Sequence, residues 1–101
     1  MFYPGESREL AQALTGLLGA AAHDAPERGV PKAIIAPHAG YIYSGPIAAS
    51  VYTLLSPARR RIRRVVLLGP THRVAVRGLA LPGCSAFATP LGTGPRSNVT
   101  L

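Results

Sequence analysis

Two short apolar runs, each closed by a proline and followed by a histidine, set the terms on which this chain can fold. The first is Ala33-Ile34-Ile35-Ala36, ended by Pro37 and followed by His38. The second is Val65-Val66-Leu67-Leu68, ended by Gly69-Pro70 and followed by Thr71-His72. A parallel sheet buries runs of this kind on both faces. Proline has no N–H for the ladder and stops each run. Between the two, Gly40 permits a turn and Ser44 suits an N-cap. A helical pattern then opens at Gly45-Pro46 and runs to about Leu55, with Ile47, Val51, Leu54 and Leu55 on one face. Ser56-Pro57 stops it. The spacing predicts a strand–helix–strand crossover from Ala33 to Leu68, a unit that is right-handed in nearly every known case. Neighbouring strands lie about 4.8 Å apart, and ligands of open α/β sheets bind beyond the carboxyl ends of the strands. His38 and His72 are therefore expected to face one site.

Elsewhere the pattern is simpler. Leu10, Leu14, Leu17, Leu18 and Ala21 recur at spacings of three and four and predict a helix from Ser7 to Ala22. Glu6 and Glu9 suit its positive N-terminal end. His23 to Pro31 is expected to be a loop, with His23 exposed at the helix end. Gly78 to Pro82 is a candidate third strand, and Phe87 to Gly92 a loop containing a turn. From Thr93 onward no periodicity is usable. The expected class is α/β, with a parallel or mixed central sheet and flanking helices.

Charge narrows the function. The chain has 101 residues and a net charge of +7, from one Lys and ten Arg against four acids. Those acids are Glu6, Glu9, Asp24 and Glu27, so none follows residue 27. Two-carboxylate hydrolysis and an all-carboxylate Mg²⁺ site are unsupported by such a sequence. Arg59 to Arg64 holds five arginines in six positions. Without interleaved aromatics or a helix-turn-helix or zinc-finger pattern, it reads as a solvated connection, and no nucleic-acid partner is expected. A single cysteine, Cys84, excludes an internal disulfide and suits a reducing compartment. No apolar run is long enough to span a membrane and no signal peptide is visible, so the expected location is cytoplasmic. Asn98-Val99-Thr100 fits the glycosylation acceptor pattern by chance.

Neutral imidazole suits Fe, Cu or Zn, which makes His38 and His72 candidate metal ligands. Tyr41 and Tyr43 are candidates to line the pocket, where a phenol orients a substrate or donates a proton. Thr71 could orient a bound water. Stable metal sites use three or four protein groups, so two imidazoles alone hold a metal weakly.

Four stretches carry a family resemblance: Phe2-Tyr3-Pro4, Ile35 to Gly45 (with His38-Ala39-Gly40-Tyr41), Leu68-Gly69-Pro70-Thr71-His72, and Ala88-Thr89-Pro90-Leu91-Gly92. In order and spacing they resemble the N-terminal third of the Memo family, the Memo-like protein B of the AmmeMemoRadiSam system. That family is in turn similar in fold to class III extradiol ring-cleavage dioxygenases. The resemblance implies a mixed α/β fold and places His38 and His72 at two positions of the family's metal site. Its third ligand, a Cys far downstream in Memo proteins or a carboxylate in the dioxygenases, has no counterpart here, and Cys84 is not at that position. It also implies a divalent transition metal, iron or copper before zinc, and redox or oxidative chemistry on a small-molecule substrate. Residues 1–92 are expected to be the N-terminal part of a Memo-like domain, and 93–101 an irregular tail of a truncated chain. The alternatives are a non-catalytic scaffold that holds a peptide partner, or a truncated product without function.

Overall fold

The structure, a computed structural model, describes residues 2–23 and 29–95. The chain divides into two compact units, Met1–Arg63 and Arg64–Leu101. Asp24 and Glu27, most of the tail and the Asn98 triplet lie outside the described residues.

The first unit is a pair of helices. Helix α1 spans Ser7–Ala22, the range its leucine spacing predicts. Its N-cap is Glu6, whose carboxylate accepts hydrogen bonds from the backbone N–H groups of Arg8 (3.1 Å) and Glu9 (3.2 Å). Two orphan donors of the first turn are thereby satisfied, and the carboxylate faces the positive end of the helix dipole. Leu10 is buried, and Leu14, Leu17 and Ala21 continue its stripe half-buried. Glu6→Ala removes this cap. We expect it to fray the first turn and to speed amide exchange at Arg8 and Glu9 by about fivefold, as a cap worth about 1 kcal/mol would.

Helix α2 spans Tyr41–Tyr52 and passes into a 3₁₀ segment at Thr53–Ala58. It therefore starts a turn before the expected Gly45, and the prolines explain why its boundaries moved. Pro46 lies inside the helix rather than at its first turn. Its missing N–H leaves the Ile42 carbonyl without the usual partner, a tolerable loss so near the N-terminus. Pro57 is held in the 3₁₀ segment. The N-cap is Gly40, not Ser44. The Ser44 hydroxyl instead donates back to the carbonyls of Ala39 (2.7 Å) and Gly40 (3.4 Å).

Helices α1 and α2 pack on each other. The approach is close at Gly45, where a Cβ would stand 3.1 and 3.3 Å from the two Leu17 methyls. Leu17 is only half-buried and its side-chain end has room to yield. Gly45→Ala is accordingly expected to be neutral or mildly stabilising, since Ala is the better helix former. Gly45→Val adds a branched side chain that Leu17 cannot clear. It is expected to cost about 1–3 kcal/mol and to be read as amide exchange at least about tenfold faster along both helices.

The second unit holds one antiparallel hairpin, β1 at Ala86–Thr89 and β2 at Gly92–Pro95, in the register Ala86↔Pro95 to Thr89↔Gly92. Its two-residue loop is Pro90-Leu91. Neither residue takes a positive φ, which falls instead on Gly92 (φ +136°). The Thr89 hydroxyl fastens the turn, accepting from the Leu91 N–H (3.2 Å) and donating to the Gly92 carbonyl (3.3 Å).

The expected α/β class with a parallel or mixed central sheet is thus corrected. The regular structure among the described residues is mostly helical, with one two-stranded sheet. Ala33–Ala36, Val65–Leu68 and Gly78–Pro82 are not strands. A parallel strand needs a hydrogen-bonded neighbour and a layer on each face. Here α1 and α2 cover one another; the run at Val65–Leu68 lies open and that at Ala33–Ala36 is only partly covered, with Ile35 95% and Val66 87% exposed. The dioxygenase-like architecture implied by the resemblance falls with the sheet.

Candidate functional site

His38 lies in the irregular stretch just before α2, two residues ahead of the Gly40 cap, and is exposed. Several contacts fix the turn that carries it. The Ser44 hydroxyl bonds to Ala39 and Gly40, and the N–H groups of Tyr43 (2.9 Å) and Ser44 (3.0 Å) donate to the Gly40 carbonyl. The Tyr41 N–H donates to the Phe2 carbonyl at 2.8 Å, and the Tyr3 and Tyr41 rings meet at 6.0 Å between centroids. The Phe2-Tyr3-Pro4 segment is therefore a strut under the His38 turn. Both stretches carry the resemblance, but nothing in their spacing showed that they touch. Only the chemistry of the segment hinted at it, since two aromatics before a proline are costly to leave in water.

The two tyrosines divide. Tyr41 is half-buried against Tyr3, a packing role, whereas Tyr43 is 82% exposed on the outer side of α2. The N–H groups of Tyr41, Tyr43 and Ser44 in the first turn are occupied by the Phe2 and Gly40 carbonyls rather than presented to an anion. His23, at the end of α1, is exposed.

Thr71 and His72 belong to the second unit, in an exposed irregular stretch after Val65–Leu68. Cys84 is exposed two residues before β1. The arginines at 59, 60, 61, 63 and 64 are exposed, and N–H groups of Arg61 (2.8 Å) and Ile62 (3.0 Å) still bond to the Ala58 carbonyl.

A metal centre needs a cluster of donors. Among the described residues, no group of three or more His, Cys, Asp or Glu side chains is placed to hold a metal ion. Metal binding as a property of this chain by itself is thereby corrected. The cause is already in the composition, with no acid after residue 27 and a single Cys. Among the described residues, no helix is long and apolar enough to cross a membrane.

The sequence model of the Memo-like protein family matches residues 1–94. Similar curated proteins include the Protein memo-1 homolog of Caenorhabditis elegans, 41% identical over 91 residues, which are 90% of this chain and 25% of that protein. The MEMO1 family protein of Aquifex aeolicus is 38% identical over 91 residues, 90% of this chain and 32% of that protein. Protein MEMO1 of Danio rerio is 40% identical over 90 residues, 89% of this chain and 29% of its own length. The chain thus spans about a quarter to a third of the relatives it matches. No solved structure matches it. With both histidine motifs inside the matched residues, the chain belongs to the Memo-like protein family.

Proposed function

We propose that this chain is the histidine-bearing portion of a Memo-family protein. His38 and His72 supply two imidazole donors to a divalent transition metal, iron or copper before zinc, and the remaining donors come from sequence that this chain does not cover. Bound there, such a metal would supply redox or oxidative chemistry on a small molecule. The observation that carries this reading is the family match over residues 1–94, which includes both motifs in one span. The lack of a three-donor group among the described residues sets its condition, because two imidazoles alone hold a metal weakly.

The chain's own residues have more limited roles. The Ser44 and Gly40 hydrogen bonds hold the His38 turn in place, and the Tyr3–Tyr41 contact backs it. Tyr43, exposed, is available to line a pocket, and Thr71 adjoins His72. A cytoplasmic setting suits the lone thiol, and a small-molecule substrate rather than nucleic acid suits an arginine cluster without aromatics.

The test is elemental analysis after dialysis. It compares the 101-residue chain with the Aquifex aeolicus relative carrying residues 1–94 of this chain in place of its own matching stretch. The graft is expected to retain about one metal per protein and the chain alone a small fraction of that. A graft that binds no metal would contradict the proposal, as would a chain that binds it stoichiometrically by itself.

A further inference from the structure

From the arginine turn that follows α2 and its 3₁₀ segment we infer a docking surface for anionic lipid headgroups, on which the first unit rests peripherally against a negatively charged bilayer. Five of the ten arginines fall between residues 59 and 64. Four of them, Arg59, Arg60, Arg61 and Arg63, belong to the first unit, and all four are exposed. Their backbone is not a loose linker. Ala58 is buried, and its carbonyl accepts from the N–H groups of Arg61 (2.8 Å) and Ile62 (3.0 Å). The Arg59 N–H donates to the Ser56 carbonyl at 3.3 Å. A turn pinned on a buried residue thus carries the cations. The end of a helix accounts for only part of that charge. Its dipole amounts to about half an elementary charge, and a row of adjacent cations overfills it and repels itself. The described acids of this unit are Glu6 and Glu9, and the Glu6 carboxylate is bound to the first turn of α1. The counter-charge is therefore external, and the guanidinium fork matches phosphate.

Ile62 selects the kind of anion. It lies between Arg61 and Arg63 and is 39% exposed. A nucleic-acid backbone gives an isoleucine nothing to pack on, and no aromatic residue lies between Tyr52 and Phe87 to stack on a base. An acidic polypeptide needs a groove or a sheet edge to fix its register. A fluid leaflet needs neither. It takes the apolar side chain at the headgroup–acyl boundary while the arginines meet phosphates above it. Such binding is peripheral, in keeping with helices that are too short or too polar to cross a membrane among the described residues. The arginine turn follows the C-terminal end of α2 and His38 precedes its N-terminal end, roughly 18 Å apart along that helix. The inference is independent of the metal donors in the proposed function.

The test is co-sedimentation of the 101-residue chain with vesicles of phosphatidylcholine alone and of phosphatidylcholine mixed with phosphatidylserine, at low and at high salt. Each arginine near an anionic surface contributes about fivefold in affinity. The mixed vesicles are expected to bind the chain at least about a hundredfold more tightly than phosphatidylcholine, and high salt to abolish the difference. The triple variant Arg60→Gln, Arg61→Gln, Arg63→Gln is expected to lose about a hundredfold on the mixed vesicles. Lysine at the same three positions keeps the charge and is expected to stay within about threefold of the original. Arg73→Gln with Arg77→Gln, in the second unit, is the control for net charge and is expected to change little. Equal binding to both vesicle types would overturn the inference, because the exposed run Val65–Leu68 would then be the adhesive element. A loss from the Arg73 and Arg77 pair as large as that of the triple variant would also overturn it. So would tighter binding, at the same salt, to a short DNA duplex than to the mixed vesicles, since nucleic acid would then be the partner.

Discussion

In the longer graft, His38→Ala and His72→Ala are each expected to weaken metal binding by more than about 100-fold. Loss of a mere supporting hydrogen bond to a metal ligand already costs about 10–100-fold, so loss of the ligand itself should exceed that. A site with few protein donors has none to spare. The two variants should be equally severe, because each removes one imidazole of a pair. His23→Ala is the control, since His23 stands exposed at the end of α1 with no motif around it. Titration of the demetallated graft with Fe²⁺, Cu²⁺ and Zn²⁺, followed by calorimetry, reads all three variants. If His23→Ala weakened binding as much as His38→Ala, the motif assignment would be wrong.

The second large effect concerns the chain on its own. Heated alone, it is expected to show a broad loss of helicity with no sharp calorimetric transition, and to bind a hydrophobic dye while still cold. Among the described residues, the buried apolar side chains are Leu10, Ala49 and Ala58, two of them no larger than a methyl group. Meanwhile Val65, Val66, Leu67 and Leu68 are each 75–87% exposed. Ordering a residue's backbone costs about 1–2 kcal/mol, and burial of apolar surface is the main offset. The α1–α2 pair has some of that offset. Every described residue of the second unit is exposed apart from half-buried Pro90, so that unit has little. An isolated two-stranded hairpin is marginal in water for the same reason. A single sharp transition with equal calorimetric and van't Hoff enthalpies would refute this expectation.

What could be read in the sequence depended on how local the determining interactions are. Helix α1 was legible to the residue because its leucine stripe and Glu6 act within one element. Helix α2 was legible in existence but not in its start. Gly45-Pro46 looks like a helix opening, yet the Phe2 carbonyl accepts from Tyr41 N–H and stabilises an earlier first turn. That bond joins residues 39 positions apart, beyond any local pattern. The runs at Ala33–Ala36 and Val65–Leu68 were misread because an apolar, β-branched run reports that a segment wants covering, not that a partner strand is present. The hairpin was missed for a related reason. Thr93-Gly94-Pro95 has poor strand propensity, and its pairing is set by the Thr89 side chain and the Gly92 backbone. At the site, the two histidine motifs were visible as residues. That a third donor is needed followed from metal chemistry, and no group of three donors is placed together among the described residues.

The most direct single measurement is hydrogen exchange at the backbone amides of Val65–Leu68, in the 101-residue chain and in the graft. If these residues are one portion of a larger Memo-family protein, the amides should exchange nearly unhindered in the chain. In the graft they should be slowed by about a thousandfold or more, as amides buried by tertiary structure are. Equal protection in both would contradict this, because the runs would then need nothing beyond the chain itself.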